Sequence, residues 1–194
     1  MTGIYEYWSL PEKLEIKCPC CVGKANFEFA RIAKITLKKD VEYFQQHADF
    51  EYERFQDSCG AYWYAAFYYP NLSIPIEQIQ DLPKGYDATV WHARYSRLSH
   101  GGVVCESCNY QQKHHLNWRN DAYYTVTYKQ QVLWAFHREA ALDLYHYLNE
   151  NLRDHKNYRH SFFLLHIPTI FKQKKARLHV TQQLKKFFVH DKKR

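Results

Sequence analysis

Apolar and polar positions alternate with period two over much of this chain and switch to three- and four-residue spacing toward its end. Ala25-Asn26-Phe27-Glu28-Phe29-Ala30 alternates and predicts a strand, with Glu15-Ile16-Lys17 as a shorter one before it. Gly60–Tyr69 is the strongest strand. Trp63, Ala65, Phe67 and Tyr69 fall on one face and Tyr62, Tyr64, Ala66 and Tyr68 on the other. Both faces are apolar or aromatic, which predicts a central position in a sheet. Tyr110–Trp118 and Ala122–Tyr128 read as strands, and a turn at Lys129-Gln130-Gln131 joins the latter to a hairpin partner over Val132–Phe136.

Helical spacing predicts a first helix over Asp40–Phe55, where Val41, Phe44, Ala48 and Tyr52 share a face. Pro70, Pro75 and Pro83 then punctuate a loop with one helical turn near Ile76–Gln80. Asp87 caps an expected helix through Trp91 and Tyr95, ended near Ser99-His100-Gly101-Gly102, and the glycine pair releases the chain into Val103-Val104. Arg138–Leu152 carries Ala141, Leu144, Tyr145, Leu148 and Leu152 on one stripe. After Pro168, Thr169 is expected to cap a short helix. Lys174–Phe188 is the last one, with Leu178, Thr181, Leu184 and Phe188 inward and its lysines outward.

Two cysteine knuckles change this picture, Cys18-Pro19-Cys20-Cys21 and Cys105-Glu106-Ser107-Cys108. Two thiols three positions apart can reach one ion because the backbone between them bends into a tight turn. A second such turn completes a tetrahedron, so Cys18, Cys21, Cys105 and Cys108 are the expected ligands of one Zn2+ ion and Cys20 is the spare thiol. Pro19 presets the first turn, and Asn109 tolerates a left-handed backbone after the last ligand. Four thiolates leave no position for activated water, so the expected role is structural. A catalytic zinc with water in place of one cysteine is the competing reading.

The CPxC knuckle and the second CxxC, followed by Asn109 and Tyr110, resemble the zinc-ribbon family, and the chain has the character of bacterial zinc-ribbon proteins. The resemblance covers the knuckles and their flanking strands, and it implies two knuckle-tipped hairpins clamping one structural zinc. Val22 stands where ribbons commonly carry glycine, and 83 residues separate Cys21 from Cys105. The expected fold is therefore α+β: a mainly antiparallel sheet extended by a split four-cysteine ribbon, with C-terminal helices packed on it. Residues 1–171 form the expected domain, with 31–100 inserted between the knuckles, and 172–194 a basic helix and tail.

Composition adds three constraints. Apolar residues make up 46% of 194, enough for a real core. No apolar run approaches membrane-spanning length and no leader pattern opens the chain, so a cytoplasmic protein with reduced thiols is expected, with no membrane partner. The net charge of +7 is concentrated at one end. Residues 172–194 hold nine Lys/Arg and one acid, while the other 171 carry 18 basic against 19 acidic side chains. Lys172, Lys174, Lys175, Arg177, Lys185 and Lys186 are thus candidate nucleic-acid contacts, with a solvated helix face as the bland counterpart.

Other chemistry is less marked. His114-His115, with Asn117 and Asn120-Asp121, echo the zinc-containing His-Asn-His nucleases, but no helix bearing a second histidine follows at short range. His137-Arg138-Glu139 sits where a strand meets a helix, although helix-dipole stabilisation alone accounts for Glu139. Cys59 reads as a small core residue, with a nucleophile as the competing reading. No Gly-rich phosphate loop, nucleophile elbow or HExxH helix is present. Three function classes remain: a nucleic-acid-binding protein, a protein–protein adaptor, and a metal-dependent nuclease or other hydrolase using His114 or His115.

Overall fold

A computed structural model describes residues 10–86 and 93–190. The chain is α+β, and among the described residues it forms three antiparallel sheets with C-terminal helices packed on strands. It folds as two units, one formed by Cys18–Asn117 and the other by Met1–Lys17 with Trp118–Arg194. Among the described residues, no helix is long and apolar enough to cross a membrane.

In the Cys18–Asn117 unit, β5 (Tyr62–Tyr68) is the middle strand of a three-stranded sheet, between β3 (Arg31–Ile35) and β4 (Phe50–Gln56). Its apolar character on both faces suits that place: Ala65, Ala66 and Phe67 are fully buried. The expected helix over Asp40–Phe55 is corrected. Helix α1 spans only Lys38–Gln46, and the chain from Phe50 onward is strand. Pairing with β5 overrides the helical spacing. All seven β4 residues find partners, from Phe50↔Tyr68 to Gln56↔Tyr62, and rings stack across the sheet at 4.5 Å for Phe55–Trp63 and 5.9 Å for Tyr52–Tyr64. The turn is self-supporting, since Asp57 Oδ1 accepts from the N–H groups of Cys59 and Ala61 at 2.9 Å each. Cys59 lies exposed in that turn, so the core role expected for it is also corrected. Phe44 of α1 packs edge-on against Phe50 at 5.0 Å and Tyr86 at 4.9 Å, closing one face of this sheet.

The unit's other strands are β2 (Lys24–Phe29), β6 (His100–Val104) and β7 (Gln111–His115), antiparallel in that order. The expectation that Gly101-Gly102 ends a helix is corrected: both glycines are inside β6. A Cβ on Gly101 would fall 2.2 Å from the Phe27 ring, and one on Gly102 would fall 2.0 Å from Asn71 Oδ1. The helix expected from Asp87 falls partly on residues 87–92, outside those described, and Ala93–Ser96 forms a 3-10 turn.

In the other unit, β8 (Tyr124–Tyr128) and β9 (Gln131–Ala135) form the expected hairpin. Lys129 and Gln130 supply its turn with φ of 47° and 63°, the left-handed pair that suits the twist of a two-residue loop. Strand β1 (Lys13–Lys17) lies at the hairpin's open end, where Glu15 N–H donates to Phe136 O and Tyr123 N–H to Glu15 O. Helices α2 (Arg138–Asn149) and α5 (Lys174–His190) pack on the hairpin, with α3 (Ser161–Leu165) and α4 (Thr169–Lys172) between them. Trp134, Tyr124, Leu144, Phe163 and Phe171 fill the core.

Three details of the helical reading change. Helix α2 stops at Asn149, leaving Leu152 outside it and 92% exposed. Pro168, not Thr169, is the cap position of α4. Ala176, Val180, Thr181 and Leu184 turn inward from α5, so Leu178 is 62% exposed.

Candidate metal centre

The knuckles meet because β2 and β6 pair. Asn26 lies opposite Val104, so the loop that precedes β2 and the loop that follows β6 emerge at the same end of the sheet. The two loops are built alike. Cys18 N–H donates to Gly23 O at 2.7 Å, and Cys105 N–H to Tyr110 O at 2.8 Å, the same five-residue span in each. The residue after each second cysteine is left-handed: Val22 at φ 61° and Asn109 at φ 55°. Asn109 is legible from sequence as such a position, and Val22 occupies the place where glycine fits best.

That strain is open to measurement. A β-branched side chain in the left-handed region costs about 1–2 kcal/mol, and Val22 is 68% exposed, so removing it forfeits little packing. Val22→Gly is expected to stabilise this unit by about 1 kcal/mol, read as a raised denaturant midpoint, whereas Asn109→Gly shifts it by only tenths. A Val22→Gly protein no more stable than the parent would show that the loop is unstrained.

The four sulfurs converge, all within 4.8 Å of one another. Cys18 Sγ lies 3.6 Å from Cys108 Sγ, and Cys21 Sγ lies 3.7 Å from Cys105 Sγ. Disulfide sulfurs sit at about 2.05 Å, so these pairs are not cross-links. Sulfurs held at about 2.3 Å from a central zinc would be about 3.8 Å apart, close to what is seen. Cys18 and Cys105 are buried, while Cys21 is exposed. Cys20 is exposed and outside the cluster, with its N–H donating to Cys18 Sγ at 3.4 Å.

Backbone amides prepare the site for anionic sulfur. Burial raises the Cys105 thiol, but N–H groups of Cys108 and Ser107, with the Cys108 and Cys18 thiols, outweigh it and bring it down to about 7. Cys108 goes the other way. The Tyr110 N–H favours its thiolate, yet burial and the neighbouring thiols, led by Cys21, push it up. Cys21 is raised too: the Gly23 N–H and the Cys108 thiol lower it, and burial with the Cys105 and Cys18 thiols overcomes them. Four thiols this close cannot all ionise unless a cation sits among them. The donor set and its spacing fit a metal ion.

His114 and His115 point to opposite faces of β7. The His114 ring meets Phe27 edge-on at 6.2 Å, and His115 lies 4.4 Å from the His100 ring. Neither belongs to a group that could hold a metal among the described residues. The polar cluster beside His115 has no sequence signature, because it joins β4 to β6 and β7. His100 Nε2 lies 3.0 Å from Glu53 Oε1, and its ring stacks on Phe67 at 4.0 Å. Tyr69 OH donates to Glu51 Oε2 at 2.5 Å, and Lys113 Nζ is 3.3 Å from the same oxygen. Burial alone would raise Glu51, but the Tyr69 hydroxyl and the Lys113 charge hold it below the usual carboxylate range.

The candidate nucleic-acid contacts divide. Lys174, Lys175, Lys185 and Lys186 are exposed on α5. Lys172 instead donates to Leu165 O at 3.4 Å, and burial with the Arg153 charge lowers its pKa. Arg177 Nη1 donates to Glu150 O at 3.2 Å. No protein-family model, curated protein or solved structure matches this chain.

Proposed function

We propose that Cys18, Cys21, Cys105 and Cys108 hold one structural Zn2+ ion, and that the protein works by binding nucleic acid through the exposed lysines of α5. The sulfur spacing of 3.6 and 3.7 Å carries the first half, since it approximates the edge of a tetrathiolate tetrahedron. Such a site is closed to substrate, so its chemistry is to fasten two loops. It also needs reduced thiols, which suits the cytoplasm. Elemental analysis of purified protein should give one zinc per chain, lost in the Cys21→Ser variant.

Placement of charge supports the second half. Lys174 and Lys185 are eleven residues apart, as are Lys175 and Lys186, so each pair recurs on one helix face about 16 Å along. Basic groups so arrayed attract phosphates without reading sequence. Affinity for single- or double-stranded nucleic acid should fall steeply as salt rises. Replacing all four lysines by alanine should reduce the log–log salt slope by up to about 0.9 for each phosphate that is no longer neutralised. Lys172→Ala and Arg177→Ala should act on stability more than on the slope. Binding indifferent to salt, or a slope unmoved by the fourfold variant, would overturn this reading. Salt-insensitive capture of a protein would then favour the adaptor.

A further inference from the structure

The geometry points to a second transition-metal site, built from His137, Glu139 and His160, remote in sequence from the cysteine knuckles and different in chemistry. His137 is the cap residue of α2, Glu139 lies in its first turn, and His160 is the cap position of α3. One ligand atom from each of the three lies within 4.8 Å of the others, and the two imidazole centroids are 5.1 Å apart.

His160 is already prepared as a ligand. Its Nδ1 lies 2.7 Å from Asp143 Oδ2, and its backbone N–H donates to the same oxygen at 3.1 Å. A carboxylate can only accept, so Nδ1 carries the proton and Nε2 keeps its lone pair. Metal-binding histidines are usually oriented by such a carboxylate. The His137 lone pair is on Nδ1, which accepts from Ala140 N–H at 3.3 Å. That bond is long, so exchanging it for a metal costs little. Glu15 Oε2 keeps the helix start capped meanwhile, accepting from Arg138 N–H at 2.6 Å. Glu139 pairs with Arg159 at 2.9 Å, and both side chains are well exposed, so turning it inward costs little.

Ligands around a tetrahedral zinc are about 3.4 Å apart, so the group must close by roughly an ångström. Two imidazoles and a carboxylate favour Zn2+, Co2+, Ni2+ or Fe2+ over Mg2+ or Ca2+. Three protein ligands leave a position for water or an anionic oxygen, unlike the tetrathiolate. The closed site fastens; this one remains open to exchange.

Titration of the full-length, zinc-loaded protein with Co2+, followed by calorimetry and absorption, tests the assignment. The expected result is one further equivalent bound without thiolate-to-cobalt charge-transfer bands. His160→Ala should abolish it, Asp143→Asn should weaken it 10- to 100-fold, and Glu139→Gln at least tenfold, with the cysteine-bound zinc unchanged in each. Should His160→Ala misfold, Glu139→Gln decides, because that side chain is exposed. Absence of a further equivalent, or one that Glu139→Gln and Asp143→Asn leave intact, overturns the site. A failure of zinc to occupy the thiols is seen separately in the elemental analysis.

Discussion

Cys21→Ser is expected to abolish the cooperative melting of the Cys18–Asn117 unit, although Cys21 is exposed and an ordinary surface substitution changes stability by no more than about 0.5 kcal/mol. The size of the effect follows from what the sulfur holds. Structural zinc in finger peptides contributes about 10–16 kcal/mol, as much as the net stability of a whole domain. The proposed ion would fasten chain segments separated by 83 residues, so removing a ligand would release a long loop from that constraint. A loss of even 3 kcal/mol would lower the melting temperature of a unit this size by about 12–24 °C. Chelation of the metal should reproduce the variant. Cys20→Ser and Cys59→Ser, also exposed but outside the cluster, should melt with the parent. This contrast separates a ligand from a surface thiol, because burial alone ranks the three alike. If Cys21→Ser melts like Cys59→Ser, the knuckles fold without metal and the proposed centre fails.

What is legible from the sequence is local. The spacing within each knuckle, the doubly apolar β5, and the turn at Lys129-Gln130 are short-range signals, and each fixes its own conformation. Strand β4 shows the limit. Its Phe50–Phe55 stretch is compatible with helical and extended spacing alike, and the rings of Trp63 and Tyr64 across the hairpin decide between them. Leu178 shows another, since a helical stripe can be drawn through it or through Val180, and only the packed hairpin selects the second. The His137–Glu139–His160 group has no motif because α3 brings His160 in from 21 residues beyond Glu139, and Asp143 reveals its role only through the distance to that ring.

The glycine pair in β6 has the sequence character of a helix end, and its actual constraint supports the second large expectation. Gly101→Ala should destabilise the Cys18–Asn117 unit by about 3 kcal/mol or more, beyond the usual penalty for an added methyl. The new Cβ would lie 2.2 and 2.4 Å from two Phe27 ring atoms and 2.5 Å from Glu28 O. Phe27 is fully buried and packed edge-on against Phe29 at 5.0 Å, so its ring has nowhere to retreat. Glu28 belongs to the β2–β6 ladder, opposite Gly102, and its carbonyl can move only if the strands part. Parting them separates the two knuckles, so the substitution should weaken zinc binding as well as folding, without touching a ligand. Gly102→Ala would set its Cβ 2.0 Å from Asn71 Oδ1 and 2.8 Å from Leu72 Cγ, so Asn71 would have to give up the hydrogen bond its Nδ2 donates to Gly102 O at 2.8 Å. These nearest atoms are side-chain atoms and not a strand carbonyl, so the loss should be smaller than for Gly101→Ala. Denaturant midpoints and competitive chelator titrations on both variants supply the check. If Gly101→Ala retains parental stability and parental zinc affinity, the close apposition of β2 and β6 is not what brings the four sulfurs together.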